Sequence, residues 1–223
     1  MRSIKNLRES RKYDIIELEY EYGSARELSL AADNKEDGIM SKVSIFMANG
    51  MEEVECLAVA DMLKRGGVEV ETVSVHEGRA VTSSHNVTIL ADKTWAEADC
   101  ADADLLFLPG GMPGTTNLGA HEGLCALIKE FDAAGKRVAA ICAAPSVLGQ
   151  LGLLQGRQAT CYPGFENQLI GAIYTRQGVI TDGHITTARG VGFAIDMGLE
   201  LVRLLQGEDV FAQVKDSIQH PEC

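Results

Sequence analysis

Apolar runs and segments of helical period take turns along most of this chain. "KVSIFMANG" (42–50) has the character of a buried strand ending in a turn. In "MEEVECLAVADMLKRGG" (51–67), Val54, Leu57, Ala58, Met62 and Leu63 recur at helical spacing. Acids fill its first turn, and Lys64 and Arg65 precede the closing glycines, as the helix dipole favours. "VEVETVSV" (68–75) and "NVTILAD" (86–92) alternate with a period of two, predicting strands. "ADLLFLPGG" (103–111) predicts a fully buried strand entering a glycine turn, and "GLCALIKEFDAAG" (123–135) a helix stopped by Gly135. "KRVAAIC" (136–142) is a second buried strand, and "AAPSVLGQLGLL" (143–154) opens a helix with Pro145 in its first turn. "AIYTRQGVITDGHITTA" (172–188) reads as short strands between glycine turns. Helices over "FAIDMGLELVRLLQG" (193–207) and from about Asp209 to Ser217 close the pattern.

Strand–helix alternation with continuously apolar strands predicts an α/β fold: a mostly parallel sheet with helices on both faces. Ligands in such folds bind beyond the carboxyl ends of the strands. Three places qualify: the turn after Phe46, the turn after Leu108, and the strand end at Cys142.

Residues 1–39 break the pattern. Ile16, Leu18, Tyr20 and Tyr22 alternate with Glu17, Glu19 and Glu21 inside a charged, polar stretch. An added edge strand is one expectation. The preferred one is a disordered extension, 1–40, ahead of a domain spanning 41–223, with Met40 as the functional start.

At 223 residues, 46% hydrophobic and 23% charged, the chain suits one domain with a sizeable core. The net charge of −12 argues against nucleic acid or an anionic membrane as partner. The most apolar stretch, Val138 to Leu154, is interrupted by Pro145, Ser146 and Gln150, so no membrane span is expected. No secretory pattern is visible, and the expected location is the cytoplasm. The cysteines at 56, 100, 125, 142, 161 and 223 form no C-x-x-C pair and no metal-ligand cluster with histidine. Neither a G-x-G-x-x-G nor a G-K-[ST] loop is present. No metal and no cofactor are therefore expected.

Cys142 carries the candidate chemistry. A strand running into a helix through small residues is the geometry of a nucleophile elbow, and Ala140, Ala143 and Ala144 supply the small neighbours. The helix N-terminus that follows is expected to favour the thiolate. The Ala143 and Gly111 amides are candidate donors to an oxyanion. Glu52, Glu53 and Glu55 all follow the first strand, and any of them is a candidate proton carrier. Glu55, between Val54 and Cys56, lies deepest in the helix. A carboxyl buried near a thiol tends to keep its proton. Against all this stands the plain alternative that Cys142 is a compact core residue.

"GMEEVE" (50–55), "LPGGMPGTTNL" (108–118), "AAICAAP" (139–145) and "ARGVG" (188–192), in this order and spacing, resemble the DJ-1/ThiJ/PfpI superfamily, and its DJ-1 branch most. The resemblance covers about 41–215. It implies a flavodoxin-like three-layer sandwich, a homodimer and a reactive, oxidation-sensitive cysteine at Cys142 with a protonated glutamate at Glu55. It also implies a substrate-facing set of Gly110, Gly111, Ala143, Tyr162 and Arg189, with Arg65 and His85 at the dimer interface near the site. The branch's activities are cofactor-free conversion of methylglyoxal and glyoxal to hydroxy acids, repair of early glycation adducts, and stress sensing or chaperone action through a cysteine sulfinate.

Departures from the family pattern narrow this. PfpI-type peptidases carry histidine directly after the cysteine, where this chain has Ala143, so peptidase activity is not expected. "CYP" places Tyr162 where the DJ-1 branch has histidine, and His85 replaces an interfacial arginine. Nothing here supports a ThiJ-type thiazole role or amidotransfer. His76, His121 and His220 read as solvated surface residues and His184 as structural. Cys161, close to Tyr162, is a candidate to resolve a sulfenate on Cys142, while Cys56, Cys100 and Cys125 read as packing residues.

Overall fold

Alternate side chains of the first strand, β1 (Lys42–Met47), enter two different cores, which is why the strand is buried from Val43 to Met47 and mostly apolar there. In the computed structural model, which describes residues 40–221, Val43, Ile45 and Met47 pack on one face of the sheet. There they meet α1 (Glu53–Arg65) and α5 (Ala194–Gln206), through residues such as Val59, Leu63, Met197 and Leu201. Phe46 and Ala48 face the other way, toward α2 (Gly114–Ala120), α3 (Glu122–Ala133) and α4 (Pro145–Gln150), meeting Leu118, Leu124, Ile128 and Leu148. β6 (Leu105–Leu108) and β7 (Arg137–Ile141) split in the same manner, with Phe107 and Ala139 on the first face and Leu106 and Val138 on the second. The result is a three-layer α/β sandwich.

The main sheet also contains β2 (Glu69–Ser74), β5 (Lys93–Thr94), β10 (Val179–Asp182) and β11 (Ile185–Ala188), in the order β10-β11-β7-β6-β1-β2-β5. All its pairings are parallel except β10 with β11. The chain steps from β1 outward to β2 and later returns to β6 on the other side of β1. The strand order therefore reverses between β1 and β6, and the crevice at their carboxyl ends is where such sheets bind ligands.

Three stretches depart from the sequence reading. "NVTILAD" yields only Thr88–Leu90 (β4), which pairs antiparallel with Ala80–Thr82 (β3) as a hairpin outside the main sheet. Helix α2 was not foreseen, because its GTTNLGA sequence has poor helix formers. The helix after Cys142 is only six residues long. Gln158–Ala159 (β8) and Ile173–Tyr174 (β9) form a separate parallel pair, and Glu208–Ser217 (α6) is the last helix. Among the described residues no helix is long and apolar enough to cross a membrane. The expectations for residues 1–39, and Cys223, lie outside the described residues.

Candidate active site

Cys142 follows the last residue of β7 and adopts φ 64, a left-handed conformation that ordinary side chains avoid. Its N–H donates to the Ala188 carbonyl at 2.9 Å, and its own carbonyl accepts from the Tyr162 N–H at 2.8 Å, so neighbouring loops hold the strained turn. This is the elbow that the sequence predicts.

The thiol is half-buried and faces three groups. The backbone N–H groups of Gly111 and Ala143 donate toward the sulfur. The Glu55 carboxyl, in the first turn of α1, lies within proton-exchange reach of it. Glu55 is 0% exposed. Its Oε2 accepts from the Gly110 N–H at 2.9 Å, and its Oε1 has no other hydrogen-bond partner among the described residues. Of the three candidate acids, Glu55 alone points into the core beside the thiol.

The "LPGG" turn works through its missing side chains. A Cβ on Gly110 would stand 2.6 Å from the Cys142 Cβ and 2.8 Å from both Glu55 Oε2 and the Ile141 carbonyl oxygen. Gly111 takes φ +85, and a Cβ there would collide with the Glu52 amide. The pair of glycines thus lets a backbone strand pass between α1 and the elbow.

Electrostatics correct one expectation. Burial, then the negative charge of Glu55 and the hydrogen bond to it, push the Cys142 thiol up to about 12, against the opposing pull of the Gly111 and Ala143 amides. The short helix α4 does not deliver the expected thiolate, because desolvation and a neighbouring acid outweigh a few amide dipoles. Burial also raises Glu55 to about 7, while its hydrogen bonds from Cys142 and Gly110 act the other way. The two shifts describe a coupled pair in which the thiol keeps its proton at neutral pH while the carboxyl beside it is poised to take or give one.

The DJ-1/PfpI family model matches residues 41–204, most of the described chain. The chain belongs to the DJ-1/PfpI family. It is 34% identical to protein dj-1beta of Drosophila melanogaster over 178 residues, which are 78% of this chain and 95% of that protein. It is also 34% identical to protein DJ-1 homolog B of Arabidopsis thaliana over 200 residues, 86% of this chain; the matched part spans 46% of the plant protein's length. Among solved structures, oxidized DJ-1 of Toxoplasma gondii superposes with a TM-score of 0.77 at 33% identity, covering 80% of this chain and 98% of that one. A cysteine-to-alanine variant of a DJ-1 superfamily protein from Salmonella typhimurium gives 0.77 at 35%, covering 82% and 100%. The three-layer sandwich is therefore the flavodoxin-like fold of this family.

The other expected residues of this DJ-1/PfpI chain fall into two groups. Tyr162 is 49% exposed and flanks Gly190, beside the elbow that its amide supports. Arg189 follows β11, its N–H donating to the Gly178 carbonyl at 2.8 Å. Arg65 ends α1, paired with Asp61 at 2.8 Å, away from the thiol of its own chain. His85 meets Glu52 and Glu53, not Cys142. Cys161 is a free, fully buried thiol.

Two histidines are not the solvated residues that the sequence suggested. His121 Nδ1 accepts from the Leu124 N–H at 3.0 Å, capping α3, and its ring stacks edge-on against Trp95 at 4.6 Å. His220 Nε2 contacts Asp196 at 3.1 Å, with its side chain 11% exposed. His76 accepts from the Asn49 N–H, and His184 holds Asp132 at 2.7 Å, as befits a structural residue. The sequence reading missed Ser84, whose hydroxyl lies 3.3 Å from Glu52 Oε2. No periodicity marks a loop hydroxyl of this kind.

Proposed function

We propose that this protein is a cofactor-free enzyme that converts 2-oxoaldehydes such as methylglyoxal and glyoxal, or their early adducts, to hydroxy acids, with Cys142 as nucleophile and Glu55 as proton carrier. The observation that carries the reading is the buried Glu55 carboxyl beside a strained, half-exposed thiol flanked by two backbone donors. As Sγ adds to the aldehyde carbon, the thiol proton passes to Glu55, and the Gly111 and Ala143 amides face the developing oxyanion. Glu55 then returns a proton to that oxygen, giving a neutral hemithioacetal. Next it takes the proton from the former aldehyde carbon, and the resulting enediol is protonated at the adjacent carbon. The first carbon is thereby oxidised to a thioester and the second reduced to an alcohol, so no external oxidant or reductant enters. Water hydrolyses the thioester and restores the thiol. A carboxyl raised to about 7 suits a group that must both take and give a proton at neutral pH.

No histidine is needed in this scheme, which accommodates Tyr162 at its position. A homodimer through the exposed face of α1, with Val54 and Leu57 half-exposed and Arg65 at its end, is part of the proposal.

A second reading, a sensor in which Cys142 is oxidised to the sulfinate and Glu55 donates to it, draws on the same pair and on the oxidized state of the solved Toxoplasma relative. Turnover separates the two. An enzyme consumes many equivalents of methylglyoxal and forms lactate, and neither Cys142→Ser nor Glu55→Gln does. A freshly reduced protein that reacts about once per chain is a sensor.

A further inference from the structure

Beside the Cys142–Glu55 pair, a second cluster of side chains has no part in the proposed reaction. Glu52 and Glu53 stand next to one another at the start of α1, with side chains only 15% and 14% exposed. Two carboxylates so placed repel each other, and a single imidazole faces both. His85 Nδ1 lies 3.0 Å from Glu53 Oε1 and 3.5 Å from Glu52 Oε2. The Ser84 hydroxyl lies 3.3 Å from His85 Nδ1 and 3.3 Å from Glu52 Oε2. One donor atom from each of Glu52, Glu53 and His85 falls within 4.8 Å of the others.

We infer that Glu52, Glu53 and His85, with the Ser84 hydroxyl beside them, form a binding site for a divalent transition-metal ion of the zinc type. Zinc holds nitrogen and oxygen donors at about 2.0–2.1 Å in a tetrahedron, whose edges are then about 3.3–3.4 Å. Four of the donor separations, 3.0, 3.3, 3.3 and 3.5 Å, bracket that edge. The site is built in advance of any ion. Glu52 Oε1 accepts from the Val54 N–H at 3.4 Å, capping α1 and leaving Oε2 for the cluster. Backbone bonds from Gly50 to Thr82 and from Ser84 to Met51, at 2.7 and 2.8 Å, tie the two loops together. Two carboxylates neutralise the ion, and one imidazole favours zinc, cobalt or copper over magnesium and calcium, which prefer all-oxygen sets of six or more ligands.

Cobalt(II) is the probe. The full-length protein, stripped with EDTA and freed of it, is titrated with cobalt, and the visible d–d absorption is followed. Saturable binding is expected, with tetrahedral intensity and no thiolate charge-transfer band, and with displacement by zinc. Cys142→Ser should bind as the wild type does, whereas His85→Ala and Glu53→Gln should each weaken binding about tenfold or more. His85 is exposed and Glu→Gln is nearly isosteric, so the pair guards against a folding artefact. Absent binding in the wild type, unchanged affinity in both variants, or a charge-transfer band lost in Cys142→Ser would each overturn the inference.

Discussion

Replacing Glu55 by glutamine should change the shape of the protein's stability against pH, and the size of the change follows from the site. Burial holds this carboxyl, which ordinarily titrates at 4.5, up to about 7. Between those values the folded protein keeps a proton that the unfolded chain has released, so stability falls as pH rises through this window. Below about 4.5 the burial costs nothing; above about 7 the whole cost is present. At about 1.4 kcal/mol per pH unit the window amounts to about 3 kcal/mol, undiluted by solvent because Glu55 is 0% exposed. Cys142, held up to about 12, keeps its proton throughout and adds no slope of its own. Glutamine cannot ionise. Whatever constant penalty its buried amide brings, the variant should gain about 3 kcal/mol on the wild type between about pH 4.5 and about pH 8. Urea denaturation across that range, with EDTA present to keep metal away from Glu52 and Glu53, measures it. A difference between the two proteins that stays constant with pH would refute the reasoning, since Glu55 would then ionise in the folded state as it does in water.

Other outcomes follow from the same geometry. Glu55→Gln removes the charge that helps burial hold the Cys142 thiol up, so iodoacetamide should alkylate the variant faster than the wild type near neutral pH even as carbonyl turnover is lost; slower alkylation would contradict the coupled pair. Gly110→Ala places a methyl 2.6 Å from the Cys142 Cβ and 2.8 Å from Glu55 Oε2, with the Ile141 carbonyl closing the third side. It should cost about 1–3 kcal/mol in urea denaturation and lower turnover about a hundredfold, and normal turnover would show that the pair need not be held this closely. His121→Ala should lose a helix cap and an edge-on ring contact, about 1–2 kcal/mol, with turnover unchanged. Burial holds His121 below its usual 6.5, so the stability due to its neutral form is present above that pH and declines below it. The variant's denaturation curves should lack that decline.

How much the sequence disclosed varies with the kind of force involved. β1, β6 and β7 could be read directly because both faces of the sheet are covered, which demands continuous apolar residues such as Leu105 to Leu108. Helices α1 and α3 announced themselves by period and by terminal charge or glycine. Helix α2 did not, because tertiary contacts hold it: Gly114 packs against Met51, and the Asn117 side chain donates to the Asn49 carbonyl at 2.9 Å. The β3–β4 hairpin was half-missed for a related reason, since three-residue strands leave too little alternation to read. At the site, the small residues around Cys142 made the elbow legible, while the residues alone left Glu52, Glu53 and Glu55 open and only the family resemblance singled out Glu55. The direction of the thiol's titration was misjudged. Local pattern shows the helix start after Cys142 but not the desolvation or the facing acid, which exist only once α1 has folded against the "LPGG" turn. His121 and His220 were misread likewise: no local pattern shows that Trp95 and Asp196 will come to meet them.

The central claim is that Cys142 and Glu55 together turn over a reactive carbonyl. Steady-state loss of methylglyoxal and formation of lactate, measured without glutathione on freshly reduced wild type, Cys142→Ser and Glu55→Gln, test it most directly. Many turnovers by the wild type and none by either variant are the predicted result. A wild type that stops after about one equivalent per chain, or a Glu55→Gln variant that keeps full turnover, would contradict it.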